Sequence, residues 1–331
     1  MVALDIVRHS NSRLKAVGIP KVAVFVGGTS GIGHLALTEL VESGSSTKIY
    51  LIGRPSAAAR TETRIAHFRT INPNVEIVWL EGEISLLSDV ARICTDIKSK
   101  ESTLDLLFLS AGFLPFSGRR ETSEGLDTSQ SVLYFSRITF IISLLPLLSS
   151  SSTARVVSIM GGGKERAKID LEDLELKKPG AFGAVRSQTH LIAMTTLTMD
   201  KLAERNKAVT FIHTFPGQVD TGNLRADLSP NSPLSWLLWI VVEPLIRLIG
   251  LSHKESGQRH LYVGTSAMYG GRGIPTELPQ ASNSRGKMEP GLFLVNQYCE
   301  ANFDKTILDQ LRDSAQSIVW EHTQKVIGEF I

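Results

Sequence analysis

The sequence has few residues of the types that mark several protein classes. Only two of its 331 residues are cysteines, Cys94 and Cys299, and they lie far apart. They support neither a disulfide framework nor a cysteine-based zinc site, and they favour a reducing, cytoplasmic location. Lys and Arg total 35 against 33 Asp and Glu, and the eight histidines are scattered. Because duplex binding normally requires clustered basic residues, the sequence predicts no nucleic-acid partner. Because the histidines are scattered, it also predicts no metal site.

A long uninterrupted apolar run is also missing. Residues 234–251 form the most apolar segment, but Glu243, Pro244 and Arg247 interrupt it. A membrane-spanning helix needs about 20 predominantly apolar residues, and the charged residues among the first 20 argue against a secretory signal. We therefore predict no transmembrane segment and favour buried or capping helices over residues 234–251. The alternatives are a lid over an apolar substrate, or a patch that contacts a membrane surface or a partner subunit.

A regular alternation of strand and helix patterns is present from residue 21 to about residue 215. Short β-branched runs predict strands, and apolar residues at helical spacing predict helices between them. The predicted strands cover residues 21–26, 48–52, 75–80, 104–109, 155–160 and 208–213, and the predicted helices cover residues 32–43, 57–70, 86–98, 127–148 and 180–205. This order predicts an α/β fold, a doubly wound parallel sheet of the Rossmann type with helices on both faces.

No repeat or linker divides the chain, which predicts a single domain over residues 1–331. Its core would cover residues 20–225. Residues 226–290 would form an irregular substrate cap or insertion with two or three helices. Residues 291–331 would add a last strand at 291–295 and a C-terminal helix at 303–329.

A glycine-rich segment lies between the first predicted strand and the first predicted helix. Glycines at this place let the backbone turn tightly and approach a pyrophosphate, and the free N–H groups of the following helix favour a phosphate. The strand before the segment and the helix after it make a dinucleotide site more specific than glycines alone would. The predicted cofactor-binding residues of this loop are Gly27, Thr29, Ser30, Gly31, Ile32 and Gly33.

The end of the second predicted strand indicates which dinucleotide is bound. An acidic residue there would accept hydrogen bonds from a ribose 2′-hydroxyl and favour NAD. This chain has Arg54 instead, which suits a 2′-phosphate. We therefore predict NADP(H) as the cofactor, with an exposed loop arginine that binds no ligand as the alternative.

These features resemble the short-chain dehydrogenase/reductase family over roughly residues 20–225. Ser110, Ala111 and Gly112 match the family's Asn-Ala-Gly turn after strand four. Pro216, Gly217, Val219 and Thr221 match its Pro-Gly segment after strand six. The resemblance implies that both segments bind the cofactor. Further details resemble a fungal branch found among secondary-metabolite biosynthetic proteins.

The chain departs from this family at the positions of its catalytic groups. The resemblance places Phe182 at the catalytic tyrosine, Arg186 at the lysine, Gly161 at the serine and Leu133 at the asparagine. None of the five tyrosines is followed four residues later by a lysine. The family's usual proton donor is therefore absent, which removes an acid–base contribution of roughly 10²–10⁴-fold.

Two residues are predicted to replace part of the missing catalytic group. Arg186 could stabilise an anionic oxygen, although it transfers protons poorly. Tyr134 lies one helical turn from Arg137, and this pair could polarise an oxygen, with a core tyrosine as the alternative. His213 and His190 are weighed as catalytic or packed histidines. Lys164 and Glu165 follow a triple glycine, in a loop predicted to be a mobile flap or simply solvated charge.

Three functions remain open from the sequence. The favoured one is an NADP(H)-dependent oxidoreductase that acts on an apolar carbonyl or alcohol in secondary-metabolite biosynthesis through a non-standard acid–base arrangement. The second is a non-redox isomerase, dehydratase or cyclase on the same fold, and the third is a non-catalytic cofactor-binding partner protein. The expected partner is a small hydrophobic substrate. A homo-oligomer that pairs through the two long helices is a further possibility.

Overall fold

A parallel sheet of seven strands runs through the protein in the computed structural model, which describes residues 1–331. The strand order is β3-β2-β1-β4-β5-β6-β7, and all neighbouring pairs are parallel. The strands are β1 (Val22–Val26), β2 (Lys48–Gly53), β3 (Glu76–Glu81), β4 (Leu106–Leu109), β5 (Arg155–Ile159), β6 (Thr210–Thr214) and β7 (Leu292–Val295). The predicted doubly wound parallel sheet is confirmed.

The helices form one layer on each face of this sheet. They are α1 (Leu4–Ser12), α2 (Leu14–Val17), α3 (Gly31–Glu42), α4 (Ala58–Ile71), α5 (Leu87–Lys100), α6 (Thr128–Ser149), α7 (Ala184–Arg205), α8 (Pro233–Ile249), α9 (His253–Thr265) and α10 (Lys305–Ile327). Helices α5, α6, α7 and α10 cover one face, and α1, α3, α4 and α9 cover the other. Because both faces are covered, the central strands β1 and β4 are apolar without alternation.

The first 20 residues and residues 226–290 are the parts that the sequence described least well. Helix α1 packs along α9, and Val7 is fully buried there. Both helices are short, and α9 also packs against α3, so their apolar faces depend on distant segments and local periodicity alone indicates them weakly. Helix α7 begins at Ala184 rather than at residue 180, because Gly180 adopts a φ of +73° and the N-cap residue, Gly183, is extended.

Helix α6 is the one straight helix that is long and apolar enough to cross a membrane, but most of it is buried in the protein core. One π-helical turn, Ser131–Phe135, interrupts its α-helical geometry. Such turns widen a helix by one residue and change which side chains face the sheet beyond them. Arg137 lies just past this turn and points toward the ends of β4 and β5.

Helix α8 lies outside both cores. Its Trp236, Leu237, Trp239 and Ile240 are each half exposed or more, and Leu248 is 81% exposed. The bend between α8 and α9 is 63°. The predicted buried or capping helices are therefore wrong for this segment, because α8 presents most of its circumference to solvent.

Candidate cofactor and active site

The glycine loop connects β1 to α3 at the point where the strand order reverses between β1 and β4. A Cβ atom at Gly33 would lie 2.1 Å from Ser110 Oγ and 2.8 Å from the Gly27 carbonyl oxygen, and one at Gly27 would lie 2.4 Å from the Ala111 backbone nitrogen. Gly31 adopts a φ of +59°. The loop can therefore have this shape only with glycines at these positions, and it leaves the N-terminus of α3 open to a phosphate.

Two further segments meet the glycine loop, as the sequence predicted. The backbone nitrogens of Ser110 and Ala111 both donate to the Val26 carbonyl, which fixes the turn of Ser110, Ala111 and Gly112 against the end of β1. Thr221 lies against Gly31, where a Cβ atom would be 3.6 Å from the threonine Cβ. The structure thus brings three predicted cofactor segments to one edge of the sheet.

The segment that contains Pro216, Gly217 and Val219 is held from the side of α8. Asp220 forms an ion pair with Arg247, and its carbonyl accepts from His253. Gly217 adopts a φ of +74°, and a Cβ atom there would lie 2.7 Å from Gln297 Cβ. The segment is therefore anchored at both ends, and Val219 is only partly buried between them.

Three arginines lie close to the outer end of the glycine loop in the fold: Arg54 directly follows β2, and Arg60 and Arg64 lie on α4 near His34. The guanidinium of Arg64, on α4, donates to the Thr29 carbonyl, and Gly53, next to Arg54, packs against the Thr29 methyl group. Burial and the nearby Arg64 and Arg60 lower the pKa of His34 to about 4. None of Arg54, Arg60 and Arg64 forms an ion pair with a carboxylate. This excess of positive charge suits a dianionic phosphate. The sequence identified Arg54 alone, because the direction of the α4 side chains depends on packing.

A buried polar cluster lies beyond the ends of β5 and β6. The Gly161 N–H donates to His213 Nε2 at 3.3 Å, so Nδ1 carries the ring proton and donates to Thr196 Oγ1 at 2.8 Å. Thr196 then donates to Glu165 Oε1 at 2.6 Å, and the Gly163 N–H donates to the same oxygen at 3.1 Å. The cluster therefore fixes the loop at residues 161–165.

Burial sets the protonation of this cluster. It lowers the pKa of His213 to about 3, with a smaller contribution from Arg137, and it raises the pKa of Glu165. The side chains of His213 and Glu165 are 0% and 3% exposed. The predicted flap or solvated surface at Glu165 is therefore wrong, and the alternative of a packed His213 that binds backbone is correct. The sequence did not indicate this burial, because a glycine-rich loop usually lies at the surface. Here Gly162 packs against the backbone of His213, where any side chain would clash.

Arg137 is buried next to this cluster and holds the ends of β4 and β5 together. Its Nη1 donates to Ser158 Oγ at 2.8 Å and to the Ile159 carbonyl at 2.9 Å, and its Nη2 donates to the Ala111 carbonyl at 2.6 Å. Burial lowers its pKa to about 10. The guanidinium therefore stays charged at neutral pH, directly beneath the turn of Ser110, Ala111 and Gly112, which is predicted to bind the cofactor.

The structure does not assemble the two predicted catalytic residues. Tyr134 is fully buried in α6, and its hydroxyl is hydrogen-bonded to Thr198 and Thr323. The alternative of a core tyrosine is therefore correct, and the Tyr134–Arg137 pair does not form, because the two side chains bind different neighbours. Arg186 lies exposed in the first turn of α7, where its Nη1 donates to the Gly180 carbonyl at 2.6 Å.

No other tyrosine takes the place of the missing proton donor. The hydroxyl of Tyr50 donates to Glu101, that of Tyr262 to the Met268 sulfur and that of Tyr269 to the Cys299 carbonyl. None of the five tyrosine hydroxyls is hydrogen-bonded to the glycine loop or to the buried polar cluster. The edge of the sheet therefore combines the predicted dinucleotide-binding loop with no tyrosine hydroxyl hydrogen-bonded to it.

Comparisons with known proteins agree with this geometry. Residues 21–168 match the family model described as short chain dehydrogenase. The chain is 36% identical to the NmrA-like family domain-containing oxidoreductase notO of an Aspergillus species, over 99% of this chain and 96% of that protein. It is 28% identical to the short-chain dehydrogenase/reductase SAT2 of Stachybotrys chartarum, over 99% of this chain and 98% of that protein.

A solved structure has the same fold. It is the NADPH-bound carbonyl reductase from chicken fatty liver, with a TM-score of 0.54 and 14% sequence identity. The similarity covers 86% of this chain and 98% of that one.

Proposed function

The chain belongs to the short-chain dehydrogenase/reductase family, in a fungal branch of oxidoreductases, and we propose that it uses NADP(H) to interconvert an apolar carbonyl and its alcohol in secondary metabolism. The observation that carries the proposal is the group of unpaired arginines, Arg54, Arg60 and Arg64, beside the glycine loop. Each would otherwise lack an anionic partner. A 2′-phosphate on the adenosine ribose supplies that partner, whereas the 2′-hydroxyl of NAD does not.

The three cofactor segments have distinct tasks in this proposal. The glycine loop and the N-terminus of α3 bind the pyrophosphate. The turn that contains Ala111 supports the adjoining ribose, and the backbone around Val219 and Thr221 holds the carboxamide and phosphates, as the family resemblance implies. When bound, NADPH supplies a hydride to the substrate carbon.

The apolar surface of α8 supports an apolar substrate. Two ion pairs, Arg225–Glu243 and Arg247–Asp220, fasten this helix beside the segment that carries Thr221. An exposed apolar helix at the rim of a cofactor cleft favours ligands with little polar surface. Contact of the same surface with a membrane or with a second copy of the chain stays a prediction from the sequence, as does a cytoplasmic location.

A second candidate function follows from the missing tyrosine acid. A non-redox isomerase, dehydratase or cyclase would use the same cleft without hydride transfer. The absence of any tyrosine hydroxyl near the glycine loop and the buried polar cluster favours this candidate. In that case NADPH would remain unchanged while product forms.

The test is a binding titration followed by an assay for turnover. NADPH and NADH are titrated against the wild type, Arg54→Glu and Lys207→Glu, which makes the same charge change on an exposed residue at the opposite edge of the sheet. We expect the wild type to prefer NADPH, and Arg54→Glu to weaken NADPH binding by roughly 10–100-fold, the range of a charge-assisted phosphate contact. NADH binding should change little, and Lys207→Glu should change neither.

Turnover distinguishes the candidates. Oxidation of NADPH that depends on an apolar ketone supports the oxidoreductase. Product that forms at the same rate without a nicotinamide supports the non-redox enzyme, and tight binding with neither reaction supports a cofactor-binding partner protein. Equal affinities for NADPH and NADH would overturn the role of the arginines.

A further inference from the structure

Arg137 is a fully buried cation without an anionic partner. Arg137 is 3% exposed, and its guanidinium donates only to neutral acceptors: the hydroxyl of Ser158 and the carbonyls of Ile159 and Ala111. Its Nε has no hydrogen-bond partner. A buried charge is costly unless it is paired. Glu165 forms no ion pair with Arg137: its Oε1 accepts from Thr196 and Gly163, and burial raises the pKa of its carboxyl, which disfavours the charged form.

Arg155, on the same strand as Ser158, shows what a purely structural buried arginine looks like in this protein. It is also fully buried without a carboxylate, and its Nε likewise has no hydrogen-bond partner. Its two Nη atoms, however, donate to four carbonyls, which tie β5 to α9 and the turn after it: Val263, Ser266, Tyr269 and Arg272. It lies at the amino end of β5, away from the glycine loop. Arg137 has fewer acceptors and lies at the carboxyl end, where ligands bind in such sheets.

The position of Arg137 relative to the cofactor cradle follows from the strand order. A dinucleotide extends across the carboxyl edge with its two halves on opposite sides of the switch point, here between β1 and β4. The unpaired arginines mark the β2 side as the adenosine side. The nicotinamide half then lies over β4 and β5, whose ends Arg137 joins.

We propose that Arg137 makes this site select the reduced cofactor, so that NADPH binds more tightly than NADP⁺. The dihydronicotinamide ring is neutral, whereas the oxidised ring carries a positive charge that a buried guanidinium repels in a medium of low dielectric. The neighbouring His213 adds no charge of its own at neutral pH. This inference rests on the proposed binding of NADP(H).

The consequence is a preference for taking up NADPH and for releasing NADP⁺ after hydride transfer. By linkage, a tenfold preference for the reduced form corresponds to a rise of about 30 mV in the midpoint potential of the bound two-electron couple, so bound NADPH is a weaker hydride donor than free NADPH.

The experiment measures equilibrium dissociation constants rather than activity. NADPH is titrated by its fluorescence and NADP⁺ by calorimetry, on the wild type, Arg137→Lys and Arg137→Met. We expect the wild type to bind NADPH about tenfold more tightly or better, the range of a one-charge interaction near a protein site. Arg137→Lys should keep the preference because it keeps the charge. Arg137→Met should reduce it severalfold, mainly by tightening NADP⁺.

A second variant removes the charge effect without removing the arginine. Ser158→Asp places a carboxylate against Nη1 of Arg137 and should reduce the preference as Arg137→Met does, which keeps the test valid if the methionine variant does not fold. Equal affinities of the wild type for NADPH and NADP⁺ would overturn this inference and leave the proposed function intact. Failure of the wild type to bind either dinucleotide would overturn both.

Discussion

The side chain of Ile192 fills the space beside Gly161. A Cβ atom at position 161 would lie 2.3 Å from Ile192 Cδ1 and 2.6 Å from its Cγ1. Both residues are buried, Gly161 after β5 and Ile192 on α7. The family resemblance places a catalytic serine at 161, so the loss of the serine and the presence of this isoleucine belong to one packing arrangement. Restoring the serine alone would therefore overpack the site.

This contact predicts a measurable coupling between positions 161 and 192. Gly161→Ser should lower the free energy of unfolding by about 1–3 kcal/mol through overpacking. In the background of Ile192→Ala, which makes room, the same change should cost clearly less. Urea unfolding of the two single variants and the double variant gives the coupling energy. Strictly additive costs would show that the two side chains do not compete for this space.

Tyr134 should matter for stability and not for cofactor binding. Tyr134→Phe removes a hydroxyl that is hydrogen-bonded to two buried threonines, Thr198 and Thr323. We expect a loss of about 1–2 kcal/mol in unfolding free energy, because the threonines lose a partner away from water, and an unchanged dissociation constant for NADPH. Tyr298→Phe removes the same atom from a partly exposed side chain and should be nearly neutral. Weakened NADPH binding in Tyr134→Phe would show that this residue contributes to the cofactor site.

Buried histidines should make the protein less stable in mild acid. Burial lowers the pKa of His260 to about 4 and that of His213 to about 3. Below pH 6.5 the unfolded chain takes up protons that the folded protein does not, so stability falls as the pH drops toward 4. Each histidine should cost about 2 kcal/mol by pH 5.

Urea unfolding at pH 7 and pH 5 checks this expectation. His260→Gln should reduce the difference in unfolding free energy between pH 7 and pH 5 by the contribution of one histidine. His67→Gln, at an exposed position, should leave that difference unchanged. The raised pKa of Glu165 acts in the opposite sense, since burial favours its protonated form. A pH difference that His260→Gln leaves intact would contradict the assignment.

The exposed face of α8 should serve ligand binding rather than stability. Leu248 and Ile249 are 81% and 64% exposed, so replacing both by serine should change the unfolding free energy by no more than about 0.5 kcal/mol. We expect the double variant to bind an apolar fluorescent probe more weakly. Leu238→Ser, at a buried position of the same helix, should instead destabilise the protein by about 2–4 kcal/mol. Unchanged probe binding in the double variant would show that the exposed face of α8 does not bind apolar ligands.

The sequence alone determined the sheet, most of the helices around it and the glycine loop that is predicted to bind a dinucleotide. These depend on local patterns: β-branched runs, apolar residues at helical spacing, and glycines that must stand between a strand and a helix. Gly27, Gly31 and Gly33 were therefore identifiable, and so was Arg54, because its position directly follows a strand. The missing tyrosine acid was also visible, since it required only a search for Tyr and Lys four residues apart.

Only the tertiary structure decided which polar residues gather around that cradle. Glu165 follows three glycines and looks solvated in sequence, yet the approach of β6 and α7 buries it. Arg64 and Arg137 lie on helices, where spacing predicts a face but not the neighbour it meets. A π-helical turn further separates Tyr134 from Arg137, which local periodicity does not reveal. Side-chain environment depends on packing between distant segments, and the charge balance of this site arises at that level.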